Sequence, residues 1–215
     1  MNIRRLAAAL FAAALLPLAR LFWLGANGGL GANPVEFVIR SLGTCALVAL
    51  IVTLSITPLR VATGWAWPMR LRRMAGLFTF FYAALHFGAY LWLDHWFDVA
   101  AILKDISKRP YITVGFAALL LLVPLAVTST NGWVRRLGGR RWQRLHRAVY
   151  AIALLAVLHF WWQKAAKNDV GEPLAYAIVI GMLLGVRLVR WAVNRYGSVR
   201  SSANSSSIVS RRRIS

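Results

Sequence analysis

Six long apolar segments, separated by short polar connections, follow one another along the chain. They cover residues 6–24, 37–57, 74–93, 111–128, 145–163 and 174–191. Each is close to the roughly 20 mostly apolar residues that a helix needs to cross a bilayer. The pattern therefore predicts an all-α fold, a polytopic membrane protein built as a bundle of six transmembrane helices.

The composition favours the same class. All ten tryptophans fall at or near the ends of the apolar segments, as in the aromatic belts of membrane proteins. The chain is 59% hydrophobic and only 15% charged, whereas soluble domains average about 25% charged residues. The net charge of +20 is not enough to indicate a nucleic-acid partner, because little polar surface is available to present it. The lone cysteine, Cys45, excludes an internal disulfide and a multi-cysteine metal site.

The charged residues alternate between the two sides of the predicted membrane. Arginines precede the first segment, fill connections 58–73 and 129–144, and follow the last segment. Connection 26–36 has no basic residue, while 94–110 and 164–173 mix basic with acidic residues. Because cytoplasmic loops carry the excess of lysine and arginine, both termini are expected to be cytoplasmic. Connection 94–110 is then expected on the opposite side of the membrane from the termini.

The two ends of the chain need separate interpretations. Residues 1–193 are expected to form the six-helix domain, and residues 194–215 a basic, serine- and arginine-rich cytoplasmic tail, disordered or lying on anionic lipid headgroups. An alternative for the first segment is a signal peptide. Its hydrophobicity continues past Pro17 to Trp23 and no polar start follows, which favours a spanning helix.

Histidines supply the candidate chemistry. The chain has four, and three lie in apolar segments: His86 in the third, and His146 and His159 in the fifth. An ionisable residue inside a span indicates a functional site by default, although hydrogen bonding to a neighbouring helix is the simpler alternative. His95 lies at the outer edge of span three, where water is available.

Depth in the membrane decides which histidines can pair. At about 1.5 Å per residue, His86 lies roughly 18 Å and His159 roughly 21 Å from the cytoplasmic starts of their spans. His146 lies about 20 Å further towards the cytoplasm than His159. Zinc bound to His86 and His159 would lack two ligands, and the spans offer no acid or second thiol to supply them. Haem brings four nitrogens of its own and needs only axial ligands, so the predicted outer site is a haem held by these two residues.

Six spans with histidines in spans three and five resemble the ferric-reductase-like transmembrane domain that NADPH oxidases and ferric reductases share. The stretch "GGRRWQRLHRAVY" leading into "HFWW" resembles more narrowly the haem-binding membrane subunits of bacterial methionine sulfoxide reductase systems. The resemblance covers about residues 6–191. It implies haem b, one or two groups, with His86, His159 and His146 as axial ligands, and an association with FMN.

The same resemblance implies partners. Electrons would come from quinone or a cytosolic flavin reductase and pass to a periplasmic molybdopterin reductase, MsrP, which reduces methionine sulfoxide in damaged envelope proteins. Only about 24 residues follow the last span and no dinucleotide fingerprint follows a strand, so a separate electron donor is expected. The protein is then an electron-transfer subunit, and the substrate chemistry belongs to its partner.

One departure from the family pattern concerns the inner site. The oxidases carry two histidines on each of spans three and five, but 14 residues before His86 stands Arg72. The inner position therefore implies an unconventional partner for His146, or a flavin.

Arginines are the remaining candidates for cofactor binding. Arg20 and Arg40, near the outer ends of spans one and two, either extend to lipid headgroups or pair with haem propionates. Arg144, with Arg140, Arg141 and Arg147, surrounds the mouth of span five beside His146. These residues either hold an anionic cofactor or only set topology.

Two other functions remain open at this point. The first is a ferric-reductase-like protein that reduces metal chelates or oxygen. The second belongs to another class, a non-redox transporter or membrane scaffold whose histidines only bond other helices. A visible spectrum separates this second alternative from the haem proteins, because reduced haem b gives sharp absorption bands.

Overall fold

A computed structural model of the chain describes residues 3–165 and 168–211, with side-chain environments for residues up to 193 and for Arg195. Over these residues it consists of helices and their connections. The helices are α1 (Ile3–Ala26), α2 (Pro34–Thr63), α3 (Pro68–Ala89), α4 (Val99–Lys108), α5 (Pro110–Val127), α6 (Asn131–Leu137), α7 (Gly139–His146), α8 (Ala148–Ala165) and α9 (Gly171–Arg211). A π-helical turn, Tyr90–Asp94, follows α3 directly.

Six stretches of the described residues are long and apolar enough to cross a membrane. They are Ile3–Ala26, Pro34–Thr63, Pro68–Asp94, Pro110–Val127, Gly139–Ala165 and Gly171–Val193. They coincide with the six predicted segments, so the all-α class and the number of spans are confirmed. Large apolar side chains such as Leu16, Phe22 and Leu188 point outwards, as a surface in contact with acyl chains requires. The chain is a multi-pass membrane protein.

Local sequence explains where the spans begin and end. Proline occupies the first turn of α2, α3 and α5, where its missing N–H breaks no helical hydrogen bond. Asn33 caps α2 by accepting the Glu36 N–H at 3.2 Å. Gly64 ends α2 with a positive φ of 73°, the left-handed conformation that favours glycine. Thr128 follows α5 and Thr130 caps α6.

Connections 94–110 and 129–144, expected from the sequence to be loops, contain short helices. Asp98 caps α4 through the Ala101 N–H at 3.0 Å. Thr130 caps α6 through the Trp133 N–H at 3.4 Å. Span five is divided, because α7 and α8 are separated by a turn at Arg147. The predicted tail stays a prediction: α9 is helical to Arg211, and residues 212–215 lie outside the described residues.

Two helix pairs organise the bundle. α3 packs along α2, α8 packs along α5, and α9 rests on α2 and α8. One buried cluster joins α2, α5, α8 and α9 around Leu54, Ile152 and Ile180. A second joins α1 to α2 and α3, where the Tyr82 hydroxyl donates to the Ala14 carbonyl. The faces of the two pairs leave a cavity between them.

The two ends of the bundle differ in charge. All six acidic residues lie at the end we call the acidic end: Glu36, Asp94, Asp98, Asp105, Asp169 and Glu172. The opposite end, the basic end, comprises the connection between α2 and α3, helices α6 and α7, and the part of α9 beyond Leu183. No Asp or Glu of the sequence belongs to the basic end.

Candidate functional site

The structure brings His86 and His159 together across the bundle. His86 lies on α3 and His159 on α8, and both line a cavity of about 2130 Å³ between α1, α2, α3, α5 and α8. Their ring centres are 6.1 Å apart and the ring planes meet at 77°. The two imidazoles therefore face each other at one level, as the depth of their positions along the two spans predicts.

Each imidazole is oriented by a backbone carbonyl of the neighbouring helix. His86 Nδ1 lies 2.8 Å from the Ile39 oxygen on α2, and His159 Nδ1 lies 2.6 Å from the Tyr111 oxygen on α5. A carbonyl oxygen can only accept, so Nδ1 carries the proton in both rings. Nε2 of each neutral ring keeps its lone pair, which is the arrangement found in metal-ligating histidines.

Two glycines create the space for these rings. A Cβ at Gly43 of α2 would lie 3.1 Å from His86 Nδ1, and one at Gly115 of α5 would lie 2.7 Å from His159 Nδ1. Each glycine stands four residues after the carbonyl that its histidine contacts, so ring, carbonyl and glycine share one face of the helix. Larger residues at these positions would push the imidazoles away from the helices that orient them.

The spacing of the rings matches two axial ligands on one metal. Two metal–nitrogen bonds of about 2.0–2.1 Å, plus about 1.1 Å from each Nε2 to its ring centre, give about 6.2 Å between ring centres. The observed 6.1 Å is close to this value. The described residues hold no group of three or more His, Cys, Asp or Glu suited to a metal ion. A metal here would need further ligands from a prosthetic group, as haem provides.

The cavity itself suits such a group. Its walls are mainly apolar side chains and its outer part reaches the acidic end, where Glu36, Asp94 and Glu172 line it. There the Tyr90 hydroxyl and Arg40 Nε are buried without a hydrogen-bond partner. Buried polar atoms are nearly always paired, so both point to a polar group of a ligand, such as a haem propionate.

Arg20 and Arg40, which the sequence places near the outer ends of spans one and two, have different surroundings. Arg40 is half-buried and its Nη2 lies 2.6 Å from Glu36 Oε1, one turn earlier on α2. Arg20 is exposed and lines the cavity from α1. Two cations not singled out from the sequence also line it: Arg109, which pairs with Asp105 at 3.3 Å, and Lys164.

Lys164 forms the tightest ion pair of the acidic end. Its buried ammonium lies 2.5 Å from Asp169 and 3.3 Å from Glu172. The hydrogen bond from Lys164 lowers the pKa of the exposed Asp169 carboxyl from its usual range. At this end of the bundle, positive charge at the cavity is largely matched by carboxylates of the same chain.

His95 stands apart from the histidine pair. Its Nε2 lies 3.2 Å from Asp105 Oδ2, and its ring packs edge-on against Tyr90. It follows the π-helical turn and does not line the cavity. The location of His95 at the water interface stays a prediction.

His146 is at the other end of the bundle, where α7 ends. Its Nδ1 contacts the Trp142 carbonyl of its own helix at 3.1 Å, and the Trp142 ring stacks on it at 3.8 Å. Its Nε2 lies 3.5 Å from Ser129 Oγ. Arg144, predicted to hold a cofactor beside it, is exposed, as are Arg140, Arg141 and Arg147.

Several residues of the site were not identified from the sequence. Gly43, Gly115 and Tyr90 contribute through close approach or a buried hydroxyl, and Ile39 and Tyr111 through backbone carbonyls that the side-chain type does not reveal. A glycine in the middle of an apolar span was the available signal, since glycine in a helix interior usually marks close packing.

Comparison with known proteins adds an independent line of argument. Residues 40–157 match the family described as "Ferric reductase like transmembrane component". This range contains His86 and His146, and His159 lies two residues beyond it.

Curated relatives match most of the chain. The "Protein-methionine-sulfoxide reductase heme-binding subunit MsrQ" of Bordetella pertussis is 59% identical over 189 residues, 88% of this chain and 91% of the relative. Proteins of the same name from Ralstonia nicotianae and Rhodospirillum rubrum are 53% and 55% identical, with 94% and 90% of this chain covered and 94% and 91% of the relatives. The resemblance seen in the sequence is confirmed, and the chain belongs to the ferric-reductase-like transmembrane family and, within it, to the MsrQ subunits.

Proposed function

We propose that this protein is the haem-binding membrane subunit of a protein-methionine-sulfoxide reductase system. Relatives that are 59% and 53% identical to this chain over most of their length bear that name. The observation that carries the proposal is the facing pair His86 and His159, 6.1 Å apart between ring centres, with both Nδ1 atoms engaged by carbonyls. Haem b would supply a one-electron ferric/ferrous couple between these two residues.

The side chains around the cavity suit electron transfer rather than substrate chemistry. His86 and His159 would hold the haem iron from both sides and leave no position open for oxygen or a sulfoxide. Their orientation by backbone carbonyls would keep the same two residues in place when the haem gains or loses an electron. The apolar walls exclude water, and Tyr90 and Arg40 offer polar partners for propionates. Reduction of methionine sulfoxide then takes place on a partner protein.

The proposed direction of electron flow follows from charge. The basic end is cytoplasmic by the positive-inside rule, which places both termini in the cytoplasm of a bacterium and the acidic end in the periplasm. Quinone or a cytosolic flavin reductase is the proposed donor, and the periplasmic molybdopterin reductase MsrP the proposed acceptor. His86 and His159, nearer the acidic end, would be the last station before MsrP.

We propose that the pair His86 and His159 binds one haem b. His146 and Arg144 mark a second cofactor position near the cytoplasm, with FMN as the candidate. Arg72 cannot complete a second bis-histidine haem, because a guanidinium stays protonated and has no free lone pair.

The visible spectrum of the purified protein tests the proposal most directly. Dithionite should produce sharp α and β bands with about one haem per chain. Absence of pigment after supply of haem would favour a transporter or scaffold. Rapid reduction of a ferric chelate by the reduced protein alone, with no electron transfer to purified MsrP, would favour the ferric-reductase alternative.

A further inference from the structure

Two adjacent aromatic residues stand exposed at the acidic end, in the connection between α3 and α4. Trp96 and Phe97 are 77% and 60% exposed, and neither belongs to one of the six spans. On α4, Val99 and Leu103 are also exposed and lie one helical turn apart on the same face. We call these four residues the acidic-end patch. Exposed apolar side chains concentrated outside the lipid-facing spans indicate a surface that contacts another molecule.

The backbone holds both aromatic residues in a conformation that side chains with a Cβ rarely adopt. The φ angle is 46° at Trp96 and 61° at Phe97. Among the described residues that have a positive φ, only Asn168 and glycines accompany them. This left-handed region is unfavourable for bulky residues, and such positions concentrate at binding sites and switch regions. The fold therefore keeps an unfavourable conformation that leaves two aromatic side chains exposed.

Hydrogen bonds fix this exposed turn in place. The Trp96 N–H donates to the Trp92 carbonyl at 3.1 Å. The Phe97 N–H donates to the Leu91 carbonyl at 2.9 Å. The next residue, Asp98, caps α4. A surface that is already ordered loses little conformational entropy when it binds a partner, so the turn is suited to recognition.

The charges around the acidic-end patch argue against an anchor in the lipid headgroups. Residues 92–103 contain two carboxylates, Asp94 and Asp98, and no lysine or arginine. Segments that lie in the membrane interface are instead rich in lysine and arginine, which anionic headgroups attract. Carboxylates on both sides of the aromatic pair would be repelled by the same headgroups.

Exposed tryptophans at the basic end have the opposite environment. The Arg136 guanidinium lies over the Trp133 ring, 5.5 Å from its centre. The Arg195 guanidinium lies over the Trp191 ring at 5.2 Å. These cation-covered rings suit an anionic lipid surface. The acidic-end patch instead suits a protein whose apolar pocket is bordered by basic side chains.

The acidic-end patch also lies beside the cavity that contains His86 and His159. Asp94 lines this cavity where it reaches the acidic end, and Trp96 follows two residues later, at most about 7 Å away along the chain. A protein seated on the patch would therefore rest against the rim of the haem site.

We infer that the acidic-end patch is the docking surface for the electron acceptor, a protein that covers Trp96 and Phe97 with an apolar pocket bordered by lysine or arginine. Aromatic residues that fill a pocket contribute a large share of the binding free energy, whereas charges at the rim mainly raise the association rate and select the partner. The inference rests on the proposed function for the identity of the partner, MsrP.

Stopped-flow reoxidation of the dithionite-reduced haem protein, in nanodiscs, by purified MsrP with methionine sulfoxide tests this surface. The MsrP concentration is varied, so that the half-saturating concentration and the limiting rate are obtained separately. Trp96→Ala and Phe97→Ala are compared with Trp191→Ala and Phe22→Ala, which remove exposed aromatic side chains from the basic end and from α1.

Trp96→Ala and Phe97→Ala should each raise the half-saturating MsrP concentration by about tenfold to a hundredfold, as expected for the central aromatic residues of an interface. The limiting rate should stay within about twofold, because the ligands of the haem site are unchanged. The two controls should change the half-saturating concentration by less than about threefold. Asp98→Asn, whose amide still caps α4, should slow association at low salt and have little effect at high salt.

Equal half-saturating concentrations in the patch variants and the controls would overturn the inference, while reduction of MsrP by the unmodified protein would leave the proposed function standing. If the patch variants then lost thermal stability in nanodiscs but not in detergent, the patch would be assigned to the lipid interface. If the unmodified haem protein did not reduce MsrP, the proposed function and the partner assigned to the patch would both be overturned.

Hydrogen exchange of the unmodified protein provides a measurement that needs no variant, should an alanine variant lose its haem. Amides of residues 95–103 should become protected when MsrP is added, because a docked protein excludes water from the patch. Exchange at these residues that is unchanged by MsrP would overturn the inference.

Discussion

The two histidine stations of this protein differ in what orients the imidazole. At His86 and His159, a carbonyl on a neighbouring helix takes the Nδ1 proton, and Nε2 faces the cavity. At His146, the Nδ1 partner is a carbonyl of its own helix, Trp142 covers the ring, and Nε2 faces Ser129. Orientation by a second helix accompanies a pair of imidazoles 6.1 Å apart at one station, whereas His146 has no second histidine opposite it among the described residues.

The acidic end and the basic end of the bundle also differ in their charged residues. At the acidic end, Arg40 pairs with Glu36 and Lys164 pairs with Asp169. The basic end contains no Asp or Glu of the sequence.

The largest effect is expected from replacing His86 or His159. His86→Ala and His159→Ala should each abolish haem binding, because each removes one of two axial ligands. Haem per chain from the reduced spectrum of the purified variants is the measurement. His95→Ala should retain full haem, since His95 contacts Asp105 outside the cavity. Equal loss in all three variants, or full haem in His86→Ala, would contradict the pairing.

Sidedness is a second all-or-none expectation. Reporter fusions at Ser107, in α4 of the acidic end, should report the periplasm, and fusions at Ser215 should report the cytoplasm. The reason is the excess of arginine at the basic end. Periplasmic alkaline phosphatase and cytoplasmic fluorescent-protein reporters at both positions serve as each other's control. The same side for both would mean that an even number of membrane crossings, and not three, separates the two positions.

Substitution of the two glycines beside His86 and His159 should lower the haem affinity to different extents. A Cβ at Gly115 would lie 2.7 Å from His159 Nδ1, and one at Gly43 would lie 3.1 Å from His86 Nδ1. Gly115→Ala is therefore expected to lower haem affinity by about tenfold to a hundredfold, the usual cost of disturbing a ligand's orienting contacts, and Gly43→Ala by less. Haem titration of apoprotein measures both.

Gly88→Ala is the matched control, because nothing lies within 4 Å of its added Cβ on α3. Affinity in Gly88→Ala should match that of the unmodified protein. If Gly88→Ala lowered the haem affinity as much as Gly115→Ala, the proposed role of Gly43 and Gly115 in making space for the imidazoles would be disproved.

A smaller effect, on the rate of haem reduction, is expected from replacing His146. His146→Ala should leave the haem spectrum intact but slow reduction by a short-chain hydroquinone, or by NADH with a flavin reductase, several-fold. Dithionite should reduce the variant as fast as the unmodified protein, since it does not need the basic-end site. Stopped-flow absorbance follows both reactions. If both donors reduced the variant as fast as the unmodified protein, His146 would have only a structural role. Complete loss of haem would show that His146 was wrongly placed away from the haem site.

The smallest expected effect concerns the buried hydroxyl of Tyr90. If it donates to an ionised propionate, Tyr90→Phe leaves that negative charge less compensated and stabilises ferric iron. The midpoint potential should fall by a few tens of mV, given about 59 mV per factor of ten for one electron. Tyr82→Phe is the control, because its hydroxyl is already bonded to the Ala14 carbonyl. Equal potentials in Tyr90→Phe and the unmodified protein would remove Tyr90 from the site.

The membrane class, the six spans and the common level of His86 and His159 follow from the sequence alone. Hydrophobic length and the rise per residue are local properties of a chain, so they give spans and depths without knowledge of the packing. The same arithmetic separates His146 from His159. The charge pattern likewise predicts which end faces the cytoplasm before any helix is placed.

Only the tertiary structure decided what surrounds each histidine. The Ile39 and Tyr111 carbonyls are 47 and 48 residues from the rings they orient, and the Leu54 carbonyl is 133 residues from Arg187. Such contacts depend on the rotation and register of packed helices, which side-chain volume sets and hydropathy does not encode. The pairing of Lys164 with Asp169 and Glu172 was likewise settled by packing, because a sequence shows which charges exist but not which ones meet.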